Sequence, residues 1–150
     1  MNIYLDGVFD LFHVGHLRSF KYVKEHYKNC KLYIGVVCDK DVEGYKRKPI
    51  INEEQRCEII EGIKYVDKVI FPAPLVVTED FLKMNNIDLV VHGFVSNEDR
   101  LKQEDFFKEI RKINKFAEIS YNNITSTTKI INACISQKYI KMTEKQKIKN

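Results

Sequence analysis

Five short apolar runs, separated by stretches of helical spacing, set the pattern of this chain. Residues 3–5, 32–37, 68–71, 87–93 and 116–119 read as strands. Between the first two, Leu17, Phe20, Val23 and Tyr27 recur at helical intervals. Asn52-Glu53-Glu54-Gln55 has the form of a capping box and opens a helix expected to turn Ile59, Ile60 and Ile63 inward. Thr78 caps a short helix carrying Phe81 and Leu82. After His92-Gly93 a loop leads to a helix with Phe106, Phe107, Ile110 and Ile113. Ser126 or Thr127 then starts a last helix bearing Ile130, Ile131, Cys134 and Ile135. Continuous apolar strands alternating with helices predict a parallel sheet covered on both faces. The expected fold is therefore α/β: a Rossmann-like, doubly wound, five-stranded parallel sheet in a single domain. Its ligands belong outside the carboxyl ends of the strands, at the switch in strand order.

The chemistry collects at those ends. Asp6-Gly7-Val8-Phe9 follows the first strand, and His13-Val14-Gly15-His16 enters the first helix. Histidines three apart share one helix face, beside the unpaired amides and positive dipole end of the helix N-terminus. That combination suits a phosphate. Gly7 is expected to permit a close turn, and Gly15 to remove a side chain where a nucleotide presses on the helix. Three further clusters fall on the same rim: the basic loop Tyr45-Lys46-Arg47-Lys48-Pro49, the pair Arg56 and Lys64, and the donors Ser126-Thr127-Thr128 at a helix start. Together they hold phosphates without offering a nucleophile. The chain has no serine–histidine–aspartate set and no G-x-x-x-x-G-K-[ST] loop. Such equipment suits nucleotidyl transfer, in which an already anionic phosphate attacks the α-phosphorus of a nucleoside triphosphate.

Composition narrows the field. Of the 25 basic and 21 acidic residues, five lysines and one glutamate lie in residues 138–150. The body is thus neutral, with 20 of each sign. A neutral body is a poor nucleic-acid footprint, so no nucleic-acid partner is expected. The domain is expected to span residues 1–137, with 138–150 a flexible Lys-rich tail. Neither a span-length apolar run nor a secretory leader is visible, so stable membrane insertion is not expected. Cys30, Cys38, Cys57 and Cys134 are dispersed and read as reduced thiols of a cytoplasmic protein.

These motifs resemble the cytidylyltransferases of phospholipid and teichoic-acid precursor synthesis, within the H-x-G-H nucleotidyltransferases. The resemblance covers residues 3–136. It rests on the stretch from Asp6 through His16, on Lys46, Asn52-Glu53-Glu54-Gln55-Arg56, Lys64-Tyr65-Val66-Asp67-Lys68-Val69, Ala73-Pro74, and Ser126-Thr127-Thr128. It implies CTP as substrate, accompanied by Mg2+, and a small alcohol phosphate as acceptor. His13, His16 and Lys46 would be catalytic. Val8, Phe9, His92, Gly93, Thr125, Ser126, Thr127 and Thr128 would join the two histidines in binding CTP. Asp6, Lys46, Arg56 and Lys64 would bind the acceptor. Relatives of this kind are typically dimeric, so a homodimer is expected.

The family's choline branch cages its ligand with aromatic residues, whereas Leu75, Asn97 and Phe107 stand at the corresponding positions here. On that ground, and on Ala73-Pro74-Leu75 and Val91-His92-Gly93, the chain looks closer to ethanolamine-phosphate cytidylyltransferases, with the glycerol-phosphate and choline branches as alternatives. One departure stands out. The family places Arg-Thr-x-Gly before the Ser-Thr-Thr element, where this chain has Tyr121-Asn122-Asn123-Ile124. That loss leaves a catalytically weak, CTP-binding regulatory homologue as the competing expectation.

Overall fold

The computed structural model describes residues 1–120 and 124–136. The tail and the stretch where the family's arginine is missing, residues 121–123, lie outside the described residues. Five parallel strands, β1 (Asn2–Gly7), β2 (Lys31–Val36), β3 (Lys68–Ile70), β4 (Leu89–His92) and β5 (Phe116–Glu118), pair in the order β3-β2-β1-β4-β5. All five strands read from the sequence are present, and the order reverses between β1 and β4.

Alternation along each strand sends both sets of side chains into apolar layers. Ile3, Leu5 and Val91 join Phe20, Val23, Leu32, Ile34 and Ile60 under α1 (Val14–His26) and α3 (Glu53–Glu61). Tyr4 and Val90 point the other way, to Leu82, Phe107 and Ile110 under α4 (Glu79–Met84) and α6 (Lys108–Lys112). The sheet is therefore wound on both faces.

Three helices depart from the sequence expectation. In α3, Ile60 is buried but Ile59 is exposed, and the residue facing inward one turn earlier is Arg56. A charged side chain had taken an apolar slot in the periodicity. The stretch read as one helix through 113 is a 3-10 turn, Glu104–Phe107, followed by α6. The loop before it contains α5 (Asn97–Lys102), whose Ser96 cap accepts from the Asp99 amide at 3.1 Å. With no buried residue on α5, no apolar period announced it. Also short is α2 (Asp39–Glu43), which lies between β2 and the basic loop. The final helix, α7 (Thr127–Ile135), is capped by Ser126 as expected, and none of its residues is buried.

Candidate active site

The reversal of strand order builds the centre of the site. Since Tyr4 pairs with Val90, Asp6 comes to lie opposite His92 at the carboxyl ends of β1 and β4. Their side chains meet at 3.0 Å, Asp6 Oδ1 to His92 Nδ1, and both are buried. Above this pair opens a cleft of about 640 Å³, within the usual range for small-molecule sites. His16, Lys46, His92, Gly93 and residues 125–128 all line it, so the second amino-terminal imidazole, the basic loop and the late hydroxyl cluster share one cavity.

His13 is the N-cap of α1 and His16 its third residue. Each ring accepts a backbone amide through Nδ1: Gly15 N to His13 at 3.0 Å, and His13 N to His16 at 3.2 Å. The rings stack with centroids 3.8 Å apart. An accepting Nδ1 places the proton of a neutral imidazole on Nε2. Neutrality is enforced electrostatically. Burial lowers the His13 pKa, and burial together with the neighbouring His13 and Lys46 pushes His16 down to about 3. Both rings are therefore neutral Nε2–H donors at physiological pH. His13 Nε2 is buried with no hydrogen-bond partner among the described residues, a donor awaiting an acceptor.

These depressed values link stability to pH. An unfolded histidine takes up a proton below about 6.5, while the folded His16 resists protonation until about 3. In that window the unfolded state binds more protons, so stability falls as pH drops through it. The urea midpoint is expected to decline steadily from pH 7 to pH 5; a flat midpoint would contradict neutral, buried imidazoles.

Gly15 makes room for the capping ring of His13. A Cβ there would lie 2.8 Å from His13 Cε1 and 2.9 Å from Nδ1, and 3.5 Å from the Thr125 carbonyl oxygen. Gly7 likewise makes room for the Phe9 ring, whose Cζ would stand 2.9 Å from a Cβ; no glycine here has positive φ. Gly15→Ala is expected to displace the His13 ring, lowering kcat at least about tenfold for a loss of roughly 1–2 kcal/mol of stability. Steady-state kinetics beside a denaturation curve would show both.

The turn after β1 carries positive φ at two non-glycine residues, Phe9 (55°) and Leu11 (48°). It is held from three sides. Asp10 is buried, and its carboxylate accepts Ile50 N and Ile51 N at 2.9 Å each while pairing with Arg47 at 2.9 Å. Burial would raise its pKa, but these donors outweigh it and hold the carboxyl below its ordinary value. Thr127 Oγ1 donates to the Asp10 carbonyl oxygen at 2.9 Å, joining the start of α7 to the turn. Arg56 supplies the third hold. Fully buried, its guanidinium donates to the carbonyls of Ile51 (3.0 Å), Val8 (2.6 Å) and Val37 (2.9 Å) and to Asp39 Oδ1 (2.7 Å).

Arg56 therefore corrects its sequence reading. It does not line the cleft, and it fixes the backbone of Val8 from behind. Lys64 also stands outside the lining, exposed, with Nζ 5.1 Å from the Tyr65 ring centroid. Neither is placed to touch an acceptor. Asp67 of the same motif is structural too, accepting Leu32 N at 2.7 Å and pairing with Lys24. Asp6, Val8 and Phe9 do line the cleft, as do Thr125, Ser126, Thr127 and Thr128. His13 stands just behind His16 and is absent from the lining.

Sequence reasoning placed Asp10 and Tyr45 in rim motifs without giving either a role, and it missed the whole α5 wall, where Ser96, Asp99 and Gln103 face the cleft. The Ser96 cap was the available signal. Leu75, Asn97 and Phe107 are all outside the lining: Leu75 packs beside Val37 and Ala73, Asn97 is exposed, and Phe107 is buried in the core. The apposition of α1 and α7 brings two helix N-termini to one cleft. At α7 Ser126 Oγ takes the Lys129 amide, leaving those of Thr127 and Thr128 without an intrahelical acceptor by position. Among the described residues no three His, Cys, Asp or Glu side chains group as a metal cage. No described helix is long and apolar enough to cross a membrane.

Comparison with known proteins agrees with this geometry. A crystal structure of the lipopolysaccharide core biosynthesis protein from Thermoplasma volcanium superposes with a TM-score of 0.62, covering 81% of this chain and 98% of that one at 24% identity. That likeness speaks to the fold alone. Choline-phosphate cytidylyltransferase of Saccharomyces cerevisiae is 36% identical over 138 residues, 90% of this chain and 32% of the yeast protein. Ethanolamine-phosphate cytidylyltransferase of Dictyostelium discoideum is 32% identical over 134 residues, 87% of this chain and 36% of that protein. The chain thus spans about a third of the length of these relatives. The expected nearer likeness to the ethanolamine branch is corrected here, since the choline relative is slightly more similar. The family described as cytidylyltransferase-like matches residues 4–146, nearly the whole chain. With that match, and with His16, the two helix starts and Lys46 on one cleft, the chain belongs to the cytidylyltransferase-like family.

Proposed function

We propose that the protein transfers CMP from CTP to a small phosphorylated amino alcohol, releasing pyrophosphate. The observation that carries this reading is the meeting of α1 and α7 starts, with the neutral His16 ring on the cleft and His13 stacked behind it, across from Lys46. A nucleophilic side chain is unnecessary, because the acceptor phosphate is already anionic. The site's task is to align that oxygen with the α-phosphorus and stabilise charge as it spreads to the leaving pyrophosphate. His13 and His16 donate through Nε2, the α7 amides hold the outer phosphates, and Lys46 bridges acceptor phosphate and α-phosphate. Magnesium is proposed to arrive on the triphosphate and to neutralise part of its charge.

Phosphoethanolamine is the proposed acceptor. Among the described side chains facing the cleft, only Phe9 and Tyr45 are Phe, Tyr or Trp, which offers a quaternary ammonium few aromatic partners there. Phosphocholine is the second reading, favoured by the identity to the yeast relative. Pyrophosphate release with magnesium and CTP, measured in parallel against phosphoethanolamine, phosphocholine and glycerol 3-phosphate, tests the assignment. Release is expected to be fastest with phosphoethanolamine. A clear preference for phosphocholine would reassign the acceptor. No release with any of them, alongside CTP binding, would favour the regulatory homologue.

A further inference from the structure

Four carboxylates stand in the wall of a cleft otherwise furnished for anions: Asp10 is held by Ile50 N, Ile51 N and Arg47, and Glu98 pairs with Lys102 in solvent, which leaves Asp6 and Asp99. Asp6 is engaged by His92. Asp99, on α5, has no part in phosphate transfer. Its side chain is only 11% exposed, and its oxygens accept Val95 N at 3.1 Å and Gln103 Nε2 at 2.7 Å. Both donors are neutral. Among the described residues the one cation paired with it is Lys46, whose Nζ lies 3.8 Å away, beyond hydrogen-bond reach, on a side chain 40% exposed. A half-sequestered negative charge beside the path of incoming phosphates is unfavourable unless a cation faces it when Lys46 turns to the phosphates.

We propose that Asp99 recognises the ammonium group of the acceptor, exchanging its pairing with Lys46 for one with the substrate's amine. This rests on the reading above, that the acceptor is a phosphorylated amino alcohol. The phosphate end of such a zwitterion draws Lys46 away, and its ammonium end takes the place Lys46 leaves. One loose ion pair becomes two. A primary ammonium brings three N–H donors, and a carboxylate already accepting two hydrogen bonds retains lone pairs to receive one. Tyr45 neighbours both groups. Burial raises its pKa, and the charges of Asp6 and Asp99 raise it further, so both carboxylates bear on one neutral phenol. Lys46 Nζ sits 5.5 Å from the centroid of that ring. An acceptor without a positive charge would strand Asp99 unpaired, so discrimination comes from the penalty on the wrong ligand.

The test compares phosphoethanolamine with ethyl phosphate, which keeps the phosphate and lacks the amine. Binding of each is measured by calorimetry to the full chain and to Asp99→Asn, with magnesium and a non-hydrolysable CTP analogue present. Asparagine keeps the shape and an oxygen for the Val95 amide. The unaltered protein is expected to bind phosphoethanolamine about tenfold or more tightly than ethyl phosphate, and Asp99→Asn to erase most of that preference. The first comparison needs no variant, so it stands even if Asp99→Asn folds poorly. Equal binding of the two ligands, no binding of either, or a preference that survives in a folded Asp99→Asn overturns the proposal. Because the readout is binding, a protein that releases no pyrophosphate would sink the CMP-transfer reading while leaving Asp99 to be decided.

Discussion

Lys46→Ala is expected to lower kcat at least about a hundredfold, roughly 3 kcal/mol of barrier, while leaving the unfolding midpoint nearly unchanged. The two halves of that expectation have separate causes. In the folded protein Lys46 is exposed, with a long contact to Asp99 at 3.8 Å and a distant one to Tyr45, so its loss removes little that holds the chain together. In the proposed reaction it faces negative charge on both the attacking and the accepting phosphate, and that charge grows as the pentavalent phosphorus forms. The stabilisation is therefore realised at the top of the barrier. Stopped-time pyrophosphate assays and a urea titration on the same preparation check both halves. Unchanged turnover would remove Lys46 from the mechanism.

Arg56→Met is expected to have the opposite profile, a loss of about 3 kcal/mol or more of stability. Methionine approximates the aliphatic stem but leaves the carbonyls of Ile51, Val8 and Val37 and the carboxylate of Asp39 without their donor. Arg56→Lys should recover only part of this, because one ammonium cannot span four acceptors on three segments. Urea midpoints of both variants give the measurement. A loss below about 1 kcal/mol would show that the buried guanidinium is not what holds the turn after β1.

These two residues illustrate what the sequence made legible. Lys46 stood in a basic loop after a strand, and loops at strand ends are where an α/β sheet exposes its chemistry, so its position was readable. Arg56 was placed in the acceptor site through the resemblance and its grouping with Lys64 on the rim. What betrays it is periodicity: it lies one helical turn before Ile60, on the face that α3 buries. The five strands were evident from their apolar runs. By contrast α5 was hidden, since a six-residue helix with no buried face leaves only its Ser96 cap as a trace. Along with α5 went Asp99 and Gln103, and with them one wall of the cleft. The histidine pair was recognised by motif, but its tautomer was not, because that depends on which backbone amides the rings accept. Nor could the role of Gly15 be read, as it is set by the ring of His13 two residues earlier.

No residue of α7 is fully buried, and Thr127 ties its first turn to Asp10. Anything that bridges the beginnings of α1 and α7 acts as a further clasp on this helix. Occupancy by a polyanion would then be felt as slower solvent exchange along the whole of the last helix, although the bridging atoms touch only its first residues.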